Sequence, residues 1–149
     1  MKVWLRSRGL QRRSVRHPEL IWRAEAMLAE LGLEDAELSV LLCDDATIRT
    51  LNRRYRKRNR PTDVLAFSMR EGPGPATEAG LLGDVVISLA TARRQAAERD
   101  RPIVEEVTWL LAHGLLHLVG YDQQTDADEA EMNEKTRALL EAVERERAR

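Results

Sequence analysis

The 149-residue chain has one cysteine, one phenylalanine and an aromatic content of only 4%. With Cys43 alone no internal disulfide can form, which excludes a disulfide-stapled scaffold and fits a reducing compartment. Cys43 ends an apolar run from Leu38, so it reads as a buried small hydrophobe rather than a nucleophile. Few aromatics leave the core to aliphatic side chains. No apolar stretch approaches the ~20 residues needed to span a bilayer. The first residues carry arginines without an apolar run, so no secretory signal is expected and a cytoplasmic location follows. Internal repeats and low-complexity linkers are also missing, and the length suits one domain over residues 1–149.

Charge is present in both signs but unevenly spread. Residues 1–60 hold 14 Lys/Arg against 8 Asp/Glu, and residues 61–149 hold 10 against 17, giving local charges of +6 and −7 within a net −1. Such asymmetry permits a basic face that meets nucleic acid. The densest part is Arg53, Arg54, Arg56, Lys57, Arg58 and Arg60, which can grip a phosphate backbone by releasing counterions. Arg6, Arg8, Arg12, Arg13 and Arg16 can extend that surface.

Periodicity gives a mixed order of elements. Residues 2–6 alternate as a strand. Residues 19–31 have helical spacing, with Pro18 at the start and Gly32 past the end. A strand is expected at 37–43, and a helix at 46–57 capped by Asp44 or Asp45. Strands follow at 63–69 and 81–88, separated by a loop rich in Gly and Pro. Helices are expected from Ser88 to about Arg99, from Pro102 to about Val119, and from about Asp126 to Glu146. This order argues for an α+β fold, a small mixed four-stranded sheet packed with about five helices.

The chemistry concentrates in His-Gly-Leu-Leu-His-Leu-Val-Gly-Tyr-Asp at 113–122. His113 and His117, four apart on a helix, lie about 40° apart around its axis and can share one metal ion. The zinc-protease motif H-E-x-x-H has this spacing, but Gly114 stands where its general-base Glu would be, so a protease of that type is not expected. Val104, Val107, Leu111, Leu115 and Leu118 form an apolar stripe, with the histidines opposite among Trp109, Leu110, Ala112 and Leu116. The helix thus reads as buried, with Gly114 leaving room for another backbone. Catalytic zinc normally takes three protein ligands. The spacing does not supply the third: His17 lies far away in a basic segment, while the turn after Gly120 offers Asp122, Gln123, Gln124, Asp126 and Asp128.

Residues 113–122 match without a gap the motif H-G-x-L-H-L-x-G-Y-D-H of the YbeY family of bacterial rRNA maturation factors, which the chain resembles. Two further stretches are similar: Leu51-Asn52-x-x-Tyr55-Arg56, continuing to Pro61-Thr62-Asp63-Val64-Leu65-x-Phe67, and Leu81 to Ile87. The resemblance covers about residues 35–140. It implies a metal-dependent, single-strand-specific endoribonuclease in small-subunit rRNA 3′-end maturation and ribosome quality control. It also implies single-stranded RNA and the ribosome or its small subunit as partners, and one zinc ion per chain. The implied ligands are His113, His117 and position 123. That position departs from the pattern, because Gln123 replaces the third histidine. A glutamine oxygen is a weaker zinc ligand than imidazole. The third ligand is therefore Gln123, directly or through water, or Asp122, Asp126 or Asp128; or the metal site is empty and the protein a non-catalytic RNA- or ribosome-binding module.

Arg56 is the residue expected to contact the scissile phosphate, its forked guanidinium suiting that geometry better than lysine. Tyr55 is expected in the core, with stacking on a base as the alternative. Asp63 and Asp84 read as caps or structural hydrogen-bonding groups, and no residue stands out as general base. A metal hydrolase acting on a peptide or ester is the weaker reading.

Overall fold

A computed structural model of the chain describes residues 2–10, 15–69, 80–121 and 124–149. Strand β1 covers Lys2–Arg8, helix α1 His17–Glu30, β2 Glu37–Cys43, α2 Asp45–Arg56, β3 Val64–Ser68 and β4 Leu81–Ser88. Helices α3 (Leu89–Glu98), α4 (Ile103–Leu118) and α5 (Asp126–Arg147) complete the order. This is the expected α+β fold with four strands and five helices. β1 runs two residues further than its alternation suggested, to Arg8.

Helix starts are set by local chemistry. Asp44, not Asp45, caps α2, accepting a hydrogen bond from the Thr47 amide at 2.8 Å. Asp45 instead ties α2 to α3, accepting from the hydroxyls of Ser88 at 2.6 Å and Thr91 at 2.8 Å. Ser88 caps α3 and Thr125 caps α5, each through its side-chain oxygen. α2 ends at Lys57, whose φ of 58° turns the chain sharply inside the basic run. Asn52 secures that turn from beneath: it is buried and donates to the Arg60 carbonyl at 2.9 Å.

The sheet order is β1-β2-β4-β3. β1 and β4 flank β2 in parallel, and β3 pairs antiparallel with β4. β4 is central and packed on both faces, which explains its unbroken apolar run Val85-Val86-Ile87. One face carries the main core, where Leu38, Val40, Leu42, Val85 and Ile87 meet residues from α1, α3, α4 and α5. The other carries a smaller cluster of Cys43, Ile48, Leu65 and Val86 beneath α2. Cys43 is fully buried there, and burial, reinforced by Asp44 and Asp45, pushes its thiol up to about 12, so it is inert as a nucleophile. No described helix is long and apolar enough to cross a membrane.

Candidate active site

α4 is the element that positions the histidines. Val107, Leu110, Leu111, Ala112, Leu115, Leu116 and Leu118 are all buried, as its nearly all-round apolar sequence requires. Gly114 allows the helix to settle on the sheet, but the close neighbours are side chains rather than backbone. A Cβ at 114 would stand 2.7 Å from Val85 Cγ1 and 3.1 Å from Val64 Cγ2. The glycine therefore draws α4 down onto β4 and β3, setting His113 and His117 beside β3.

The two imidazoles stand edge to face, their centroids 4.9 Å apart. Trp109 stacks on His113 at 5.1 Å and 17°, fixing that ring from one side. Among the described residues no hydrogen-bond partner meets either imidazole, and both rings line the cleft. Burial, and then the neighbouring His117, hold the His113 pKa below the usual histidine range, with Asp63 opposing. The neutral form favoured here is the form that binds metals.

Both histidines open into a cleft of about 760 Å³, whose other wall is Tyr55, Arg56, Asp63 and the strand Val64–Ser68. Arg56 belongs to this wall: its guanidinium donates to the Ala66 carbonyl at 2.6 Å and lies 5.3 Å from the Phe67 ring. The other basic side chains from Arg53 to Arg60 are exposed with it. Tyr55 is not in the core. It is 56% exposed and meets Phe67 edge to face at 5.4 Å, because α2 covers only part of its sheet face. Asp63 has structural hydrogen bonds, accepting from the Val64 amide at 2.8 Å and from Gln95 at 3.2 Å. It is also the carboxylate that acts on His113 across the cleft, a proximity its sequence position does not signal.

His17 is elsewhere, its Nε2 2.8 Å from the Ser7 hydroxyl. Asp122 and Gln123, two of the ligand candidates, lie outside the described residues. Among the described residues no group of three His, Cys, Asp or Glu side chains converges to hold a metal, so neither Asp126 nor Asp128 completes a site with the histidine pair. The pair fits part of a metal coordination sphere: two imidazoles side by side at one cleft, His113 held toward its neutral form. Arg12 and Arg13 also lie outside the described residues. Arg6 and Arg8 are on β1, at the sheet edge opposite the cleft.

A family model described as Endoribonuclease YbeY matches residues 13–144. An Endoribonuclease YbeY of Anaeromyxobacter dehalogenans is 52% identical over 120 residues, covering 80% of this chain and 61% of that protein. The chain thus spans about three fifths of that relative's length, whereas an Endoribonuclease YbeY of Geobacter metallireducens is 40% identical over 148 residues and 98% of both chains. One from Aquifex aeolicus is 48% identical over 120 residues, 80% of this chain and 78% of that one. A solution structure from Thermotoga maritima matches with a TM-score of 0.65 and 26% identity, over 95% of this chain and 88% of the other.

Proposed function

The chain belongs to the Endoribonuclease YbeY family, and on that footing we propose that it is a metal-dependent endoribonuclease. Its substrate is single-stranded RNA, and its role the 3′-end maturation of small-subunit rRNA and ribosome quality control in the cytoplasm. The observation that carries this reading is the His113–His117 pair facing Arg56 and the exposed basic run across one cleft.

His113 and His117 would hold one zinc ion, with Gln123 as the third ligand at the family's third motif position. Bound zinc supplies a water acidified to a pKa of about 7 and an electrophile for a phosphoryl oxygen. The chain's own residues do the rest. Trp109 holds the His113 ring against rotation. Arg56, steadied by the Ala66 carbonyl and Phe67, presents its remaining N–H groups to the phosphate. Asp63 sets a carboxylate across the cleft from His113. The exposed arginines around 53–60 draw the RNA backbone in by counterion release.

Elemental analysis of the purified protein beside cleavage of a single-stranded RNA, with and without zinc and a chelator, tests the reading. Stoichiometric zinc and chelator-sensitive cleavage are expected. Absence of metal after zinc loading, or full activity in His113→Ala, overturns it. A second reading, a non-catalytic RNA- or ribosome-binding module, is favoured by Gln123, a weaker zinc ligand than the histidine of the family motif. It expects RNA binding without turnover, and a gain of both metal and cleavage in Gln123→His.

A further inference from the structure

Strand register defines a second surface that the cleft chemistry does not use. Lys2, Trp4, Arg6 and Arg8 of β1 stand level with Glu37, Ser39, Leu41 and Cys43 of β2. Ser39 and Leu41 in turn stand level with Asp84 and Val86 of β4, and these with Phe67 and Leu65 of β3. All point to the side that α2 covers, yet α2 closes only the end holding Cys43, Val86 and Leu65. Among the described residues the exposed large hydrophobics are Trp4 at 51%, Tyr55, Met69 and Leu81. Every one belongs to this side. Trp4 is placed there by register, and Leu81 stands level with Glu37. Met69 continues the alternation of Leu65 and Phe67, and Tyr55 leans on Phe67.

Cations accompany these side chains. Lys2 Nζ lies 5.0 Å from the Trp4 ring, Arg54 5.5 Å from Tyr55 and Arg56 5.3 Å from Phe67. Arg6 and Arg8 are exposed beside Trp4. Among the described residues the carboxylates on this face are Glu37, which accepts from the Trp4 indole at 3.4 Å, Asp84, and at the end under α2 Asp44 and Asp45, which act on Cys43 together with Arg8. A protein-binding patch would concentrate apolar area and shed charge at its centre. Aromatic faces interleaved with cations suit a single-stranded polyanion, whose bases stack while its phosphates are neutralised. The surface is also continuous with the cleft, because Tyr55, Arg56 and Phe67 line both.

We propose that this half-open sheet face docks the single-stranded RNA flanking the cut site, with Trp4 as a stacking platform and Arg6 and Arg8 as its phosphate clamps. The inference rests on the reading of the cleft as an RNA site. From β3 to β1 the path is three strand spacings, about 14 Å, so an RNA that only fills the cleft does not reach Trp4.

The test uses the full chain with chelator present and fluorescein-labelled uridylates of about 2 and about 20 nucleotides, the shorter unable to bridge the path, read by anisotropy. Trp4→Ala and, separately, the exposed-edge pair Arg6→Glu/Arg8→Glu are compared with the parent, with thermal unfolding run alongside. Each is expected to weaken the long RNA about tenfold while the short RNA changes less than about twofold. The Arg pair should also flatten the salt dependence. Equal long-RNA affinity in folded variants, or no RNA binding by the parent, overturns the inference. A parent dimer that Trp4→Ala renders monomeric in sedimentation assigns the face to a second copy and overturns it too. Long-RNA binding that depends on Trp4 in a parent that never cleaves RNA with zinc leaves the docking face standing and removes the nuclease reading. The opposite pattern removes only the docking face.

Discussion

The two ends of α4 carry polar groups into the same packed interior and treat them in opposite ways. Near its start Glu106 is fully buried, and its carboxylate is matched by two cations. Arg99 donates to one oxygen at 2.7 Å, and Arg101 reaches the other at 2.6 Å. Near its end His113 and His117 face a cleft with no such match among the described residues. A buried charge persists only when paired and hydrogen-bonded, so the first end is a structural clasp. Half-buried imidazoles cost less than a buried carboxylate, because an imidazole is able to stay neutral. Arg99 links the ends: it also lies 5.7 Å from the Trp109 ring, the ring that stacks on His113. The comparison separates polar groups that close the fold from those that wait for a partner.

The sharpest break should come from His113→Ala, with RNA cleavage falling by about a thousandfold or more while the unfolding midpoint barely moves. A comparable loss of stability would place His113 with Glu106 as a structural group. Glu106→Ala should do the reverse. Discounting for the partial exposure of both arginines, it should cost about 2–4 kcal/mol in urea unfolding. Gly114→Val probes the seat of the histidine end on the sheet. Its new Cβ meets Val85 and Val64, and overpacking should cost about 1–3 kcal/mol by the same measurement. Arg56→Lys should lower cleavage about tenfold at unchanged stability, since lysine keeps the charge but not the fork. A still smaller effect is expected from pH. Because the His113 pKa is lower folded than unfolded, the unfolded chain binds more protons below the usual histidine range. The metal-free protein should lose stability as pH falls from 7.5 through about 6.5 toward the lowered folded value, and His113→Gln should flatten that decline in thermal unfolding.

Much of this was legible in residue order. The Pro18 and Gly32 punctuation, the caps at Asp44 and Ser88, and the apolar run of β4 reported their elements because each acts through neighbours a few residues away. The His113–His117 pair was legible for the same reason: helical period alone puts both on one side. Residue order points Tyr55 to the core, whereas it is exposed. Its exposure depends on how much of the sheet α2 covers, which is a matter of packing. The Glu106 clasp was equally hidden, since Arg99, Arg101 and Glu106 look like an ordinary solvated charge run until α4 is pressed between sheet and helices. Asp63 is separated from His113 by fifty residues and meets it only because β3 lies beside α4.

The histidine motif, the basic run and the order of strands and helices were thus determined by sequence alone, through steric and hydrogen-bonding rules that operate within a turn or two. The tertiary structure alone decided which polar groups would be matched and which left open. Desolvation and charge pairing depend on what a distant element brings within a few ångströms. It was the pairing of β3 with β4 and the seating of Gly114 on Val85 that turned two histidines and an arginine into one cleft.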